Sequence, residues 1–120
     1  MAKPNNIATT QDTQQPAKQG LARKYSKDKS KCLVTFWLPK EAAPDARCVA
    51  VAGTFNNWDP NSHLLKKLEK GDFALKVELE AGQEHAFRFI IDETCWVNAW
   101  NADKYVWSAY GNSENSVIIT

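Results

Sequence analysis

The sequence has little of what an enzyme, a membrane protein or a disulfide scaffold requires. Cysteine occurs three times, at Cys32, Cys48 and Cys95, with no CxxC spacing, and no Asn-x-Ser/Thr glycan acceptor occurs. Reduced thiols in a cytoplasm fit that pattern better than a secreted framework. No apolar run approaches the roughly 18 residues of a membrane span, and the first residues lack the apolar segment of a secretion signal. The expected location is therefore cytoplasmic, with no membrane partner. His63 and His85 stand alone, no Ser or Cys sits in a nucleophile motif, and no glycine-rich phosphate loop precedes a helix. Two His and three Cys without ligand spacing argue for neither a metal nor another cofactor. An acid–base pair would have to come from Asp59, Asp92, Glu93 or Asp103. Each adjoins turn residues, and turn or capping roles account for all four. The expectation is a protein that is not an enzyme.

A chain of 120 residues leaves room for one core and none for a catalytic barrel beside it. Its net charge of +1 conceals an asymmetry, because Met1 to Lys31 holds seven Lys or Arg against two Asp, a charge of +5, and the remainder carries −4. Residues 1–24 are rich in Gln and Asn and contain only Ile7 and Leu21 as large branched apolar side chains. Such a segment buries too little surface to offset its ordering entropy, so a disordered polar and basic tail is expected over 1–24, ahead of a domain at 25–120. Arg23, Lys24, Lys27, Lys29 and Lys31 have no useful interleaving of aromatics and read as a solvated linker. Nucleic acid is not expected as a partner.

From Cys32 the apolar period becomes two. Cys32, Val34, Phe36 and Leu38 alternate with Leu33, Thr35 and Trp37 in a strand that Pro39 ends, and Cys48 to Ala52 reads as a short buried strand. Leu65 to Leu68 and Phe73 to Leu79 suit a hairpin closed through Lys70-Gly71-Asp72. Glu80-Ala81-Gly82-Gln83 suits a type II turn with Gly where positive φ is required. His85 to Asp92 then turns Phe87, Phe89 and Ile91 inward and Arg88 outward. Trp96 and Val97 follow a short turn, Asn98 to Asn112 reads as irregular, and Asn115 to Thr120 as a last strand. Six or seven short strands without a convincing helix predict an all-β fold, an antiparallel, immunoglobulin-like β-sandwich.

Tryptophan is the unusual residue, with five copies at 37, 58, 96, 100 and 107. Trp58 lies among the turn formers Asn56, Asn57, Asp59 and Pro60, and Trp96, Trp100 and Trp107 fall in loops or at strand ends. Exposed aromatics mark contact surfaces. A hexose has a flat face of C–H groups and a rim of hydroxyls, so a site for it needs aromatic platforms flanked by polar groups, here Arg88, Ser113 and Asn115. Trp37 is expected to pack against a neighbouring strand or the tail. Trp100 and Trp107 are expected to pin the long loop onto the sandwich.

At three segments the chain resembles a known family. Val49-Ala50-Val51-Ala52-Gly53-Thr54-Phe55-Asn56-Asn57-Trp58-Asp59-Pro60, then Phe87-Arg88-Phe89-Ile90-Ile91-Asp92 with Trp96, then Asn112-Ser113-Glu114-Asn115-Ser116-Val117 resemble the early-set, immunoglobulin-like glycogen-binding module. That module stands at the front of glycogen branching and debranching enzymes, where it is called isoamylase N-terminal-like, and in the β subunit of AMP-activated protein kinase. The resemblance implies non-catalytic binding of an α-1,4-linked glucan polysaccharide or oligosaccharide, with carbohydrate-binding residues Trp58, Arg88, Trp96, Ser113 and Asn115. Two departures stand out: Glu93-Thr94-Cys95 replaces a Gly-containing turn, and Ala109 and Tyr110 stand where the kinase subunit has a leucine. The alternative is a regulatory module that docks a protein partner without significant glucan affinity, since fold alone does not fix function.

Overall fold

Alternation along Lys31–Leu38 produces one dry face, with Cys32, Val34, Phe36 and Leu38 buried and the residues between them only half-buried. The computed structural model describes residues 21–108 and 113–120. Its strands are β1 Leu21–Tyr25, β2 Lys31–Leu38, β3 Val49–Gly53, β4 Lys66–Lys67, β5 Phe73–Glu80, β6 Glu84–Ile91, β7 Cys95–Val97, β8 Lys104–Trp107 and β9 Glu114–Ile119. They form two antiparallel sheets, ordered β1-β2-β5-β4 and β3-β6-β9-β8. Strand β7 lies beside β6 on the same edge as β9, because Phe89 pairs with Val51 and Val97 and Phe87 pairs with Gly53 and Ser116. The fold is the expected all-β sandwich.

The inward faces meet in a phenylalanine cluster. Phe36 packs edge-on against Phe87 at 5.0 Å between ring centroids and stacks on Phe55 at 5.5 Å. Phe36, Phe73, Phe87 and Phe89 are among the largest fully buried side chains; each such burial contributes roughly 1.5–3 kcal/mol. The turn at Gly82, with φ +75°, carries the chain from β5 in one sheet to β6 in the other, so positive φ serves a change of sheet.

Three expectations change. Residues 21–24, assigned to the disordered tail, form most of β1 and pair with β2 from Leu21↔Phe36 to Lys24↔Leu33; residues 1–20 lie outside those described. Its pairing partner is the next strand, but the side-chain ties that hold it are distant in sequence and invisible to composition: Arg23 ion-pairs with Asp103 and donates from Nε to the Ile119 carbonyl, and Tyr25 donates to the carbonyl of Thr120 at 2.5 Å. The strand expected at Leu65 to Leu68 shrinks to Lys66–Lys67, paired with Ala74 and Phe73. The segment read as irregular contains β8, paired with β9 from Trp107↔Glu114 to Lys104↔Val117. To reach that edge, the chain crosses the core side of β9. There Ser116 Oγ donates to Asn98 Oδ1 and accepts from the Ala99 amide, while Tyr105 donates to the Ala99 carbonyl at 2.7 Å.

Candidate functional site

Strand β3 is buried along its whole length. Val49 and Val51 enter the main core, whereas Ala50 and Ala52 on the outer face join Ile90 in a separate apolar cluster covered by Trp58. The small alanines leave a shallow bay in which an indole lies against the sheet. Trp58 is thus half-buried, with one side packed and the other toward solvent, rather than fully displayed as its place among turn residues suggested.

The loop that delivers Trp58 is fixed at every step. Gly53 has no room for a side chain, since an added Cβ would stand 2.3 Å from the Ala86 carbonyl oxygen and 2.9 Å from Phe87 Cβ. Phe55 inserts against Phe36, and His63 meets its edge at 5.6 Å. Asn56 ties the turn together: Oδ1 accepts from the Gly53 amide at 2.9 Å, and Nδ2 donates to the Val51 carbonyl at 3.1 Å. Asn57 and Trp58 then take left-handed backbone, φ 57° and 59°, and the Trp58 amide returns to the Gly53 carbonyl at 2.9 Å. Left-handed φ is uncommon for a bulky residue and costs of order 1 kcal/mol, a cost found where a side chain must be presented.

Cross-strand pairing brings the other expected residues to the same face. Arg88 pairs with Ala52, and Trp96 pairs with Ile90, which pairs with Ala50. The β6–β9 register, Ser116↔Phe87, sets Asn115 beside Arg88. The guanidinium donates from Nε to Asn115 Oδ1 at 2.8 Å and from Nη2 to Ser113 Oγ at 2.5 Å. Trp58 and Trp96 therefore flank Ile90 from two sides, with Ala50 and Trp96 two strand spacings, about 10 Å, apart. Trp96 is 41% exposed. All five residues picked out by sequence share one outer face, and three of them form one hydrogen-bonded group.

The turn carrying Trp96 forms without glycine. Asp92 and Glu93 both have positive φ, 50° and 70°, and the Thr94 amide bonds the Ile91 carbonyl at 3.2 Å, a geometry of the type I′ hairpin class. Asp92 holds it, because its Oδ1 accepts from the amides of Arg47 at 2.8 Å and Cys48 at 3.0 Å. Those two amides, Cys48 first, keep the Asp92 carboxyl below its usual range. Asp59 accepts from the Asn61 amide, the turn role expected of it, whereas Asp103 accepts from the Ile119 amide and ion-pairs with Arg23, long-range ties rather than a turn or cap.

Trp100 and Trp107 do not pin a loop: they are 59% and 67% exposed. Trp107 opposite Glu114 belongs to the face away from Asn115, by alternation along β9. Ala109 and Tyr110 lie outside the described residues. Sequence reasoning missed the alanine floor and the two turn locks, Asn56 and Asp92. The Val-Ala-Val-Ala pattern was the available sign of a strand buried on one side and partly covered on the other.

A family model described as the glycogen recognition site of AMP-activated protein kinase matches residues 42–120. No curated protein matches the chain.

Proposed function

The chain belongs to the family of the glycogen recognition site of AMP-activated protein kinase, and from that premise we propose that the outer face of the β3-β6-β9-β8 sheet binds an α-1,4-linked glucan without catalysis. The observation that carries the reading is the shared face of Trp58, Trp96 and the Arg88–Asn115–Ser113 group. An indole offers a platform to the C–H face of a glucose, while the guanidinium and the Asn and Ser side chains meet its hydroxyls. Two of the five guanidinium donors are engaged among the described residues, and others remain for sugar oxygens. The early-set description rests on the same family membership.

Linkage preference follows from the platforms' origins. Trp58 comes from a left-handed turn after β3 and Trp96 from the hairpin after β6. Platforms set independently suit a chain whose successive sugar faces turn, as in α-1,4 glucans, and not the flat ribbon of cellulose. Tryptophan fluorescence titrated with maltoheptaose is expected to give micromolar to millimolar binding, roughly −8 to −4 kcal/mol. Cellohexaose is expected to give none. Equal response to both sugars would overturn the linkage assignment.

A second reading, a surface that docks a protein partner, is favoured by one observation: Trp100 and Trp107 are the most exposed tryptophans yet stand apart from the Arg88 group. Retardation in a glycogen-containing native gel separates the two readings.

A further inference from the structure

Trp37 alternates with the buried Phe36 and Leu38, so it stands on the outer face of the opposite sheet, across from the small Ala74. It lines a groove of about 680 Å³. The groove's walls are two turns, the 3-10 turn Lys40–Ala42 after Pro39 and the turn Leu68–Asp72, and they are tied together: Asp72 Oδ1 accepts from the Lys40 amide at 2.7 Å. The second turn closes on itself through the Leu68 amide to the Asp72 carbonyl, 2.7 Å, and the Gly71 amide to the Leu68 carbonyl, 2.9 Å. At Gly71, φ is +100° and the aliphatic chain of Lys40 lies where a Cβ would stand, 2.9 Å from its Cδ. The two turns that wall the groove are therefore held in place without a ligand.

Two features state what it lacks. The indole N–H of Trp37 is shielded from solvent and meets no acceptor, the one buried side-chain polar atom left unpaired among the described residues. The rim mixes both signs, Lys40 and Lys70 against Glu41, Glu69 and Asp72, so no strong field selects a charged ligand. Carboxylates and ammonium groups around an aromatic floor match a neutral ligand whose hydroxyls both donate and accept.

We propose that the Trp37 groove is a second, weaker sugar site that holds a short stretch of glucan, so that one chain of this protein engages two glucan strands from opposite faces of the sandwich. The inference rests on the reading of the Trp58 face as a glucan site. Because the Trp37 N–H is shielded, binding requires a local movement that opens it to a sugar oxygen.

Calorimetric titration with maltoheptaose is expected to give two sites per chain in the native protein, one in Trp58→Ala and one in Trp37→Phe, which keeps an aromatic ring and loses the N–H. In Trp58→Ala, the ¹⁵N-detected indole resonance of Trp37 should move on titration, and Glu69→Gln or Lys40→Ala should weaken that response about threefold or more, ~0.6 kcal/mol. Glycogen should become turbid through cross-linking with the native protein and not with Trp37→Phe. A native protein with one site, abolished by Trp58→Ala while the Trp37 resonance stays still, would overturn this proposal and leave the first site standing. A native protein that binds no maltoheptaose would overturn both.

Discussion

The loop after β3 and the segment between β7 and β9 both present tryptophan, by opposite means. In the first, Gly53, Phe55 and Asn56 fix each backbone step, and Trp58 ends half-buried on an apolar floor. In the second, the backbone is anchored through Asn98, Ala99 and Tyr105, but Trp100 and Trp107 project with more than half their surface free. Under the proposed glucan reading, exposure alone does not mark a platform. A ring already fixed by its neighbours loses little freedom on meeting a ligand, whereas a free one must be immobilised at a cost of about 0.5–1.5 kcal/mol.

The fixed loop is most easily disrupted at Gly53. Gly53→Ala puts a methyl against the Ala86 carbonyl and the Phe87 side chain, neither of which can swing away. Overpacking of this kind is expected to lower stability by roughly 3 kcal/mol and to displace the Trp58 loop. Urea unfolding measures the first effect and maltoheptaose titration the second. Normal stability with normal binding would show that the loop is not held as tightly as its contacts imply.

Next come the platforms themselves. Trp58→Ala and Trp96→Ala are each expected to weaken glucan binding about tenfold or more, ~1.4 kcal/mol or above, with Arg88→Ala and Asn115→Ala smaller but measurable. Affinity electrophoresis in glycogen ranks them. A larger loss from Asn115→Ala than from either tryptophan would move the weight of the site from stacking to hydrogen bonding.

A smaller effect is expected at the Trp96 turn. Because the folded Asp92 carboxyl lies below its unfolded range, its ionised form stabilises the turn above about pH 4 and that stabilisation is lost as pH falls through the folded value. The native protein should therefore exceed Asp92→Ala in thermal stability near pH 7, with the gap closing in acid. A gap independent of pH would show that the carboxylate does not act through its charge.

What the sequence made legible follows from where the determinants lie along the chain. Period-two alternation in Lys31–Leu38 and Glu84–Ile91 is local, so the inward faces and the outward aim of Arg88 were readable. Asn56 and Asn57 announced a turn, but the left-handed φ of Trp58 depends on Gly53 meeting β6, a contact some thirty residues away in sequence. β1 was missed because the side-chain ties that hold it reach Asp103, Ile119 and Thr120, far along the chain, and β8 because a four-residue segment is too short a run for alternation to reveal, although its partner β9 is the next strand. The five candidate site residues were named from type and resemblance. Their common face is a consequence of registers that no local pattern encodes.

The smallest effect is expected at the most exposed ring, Trp107. Trp107 pairs with Glu114, and side chains alternate along β9, so its indole leaves the sheet on the side opposite Asn115 and Arg88. A glucan stacked on Trp58 and Trp96 would have to pass around the β8 edge to touch it. Trp100 follows the buried Ala99 on the crossing segment, whose polar anchors are Glu114 and Ser116 rather than the Arg88 group. Both rings are already largely in water, so truncation removes little packing. Trp107→Ala and Trp100→Ala are accordingly expected to change maltoheptaose affinity less than twofold, under ~0.4 kcal/mol, and to leave thermal stability nearly unchanged. Fluorescence titration of the two variants beside Trp58→Ala provides the measurement. If Trp107→Ala matched Trp58→Ala in lost affinity while keeping its fold, the glucan would run over the β8 edge, and exposure would outrank preorganisation in making a platform.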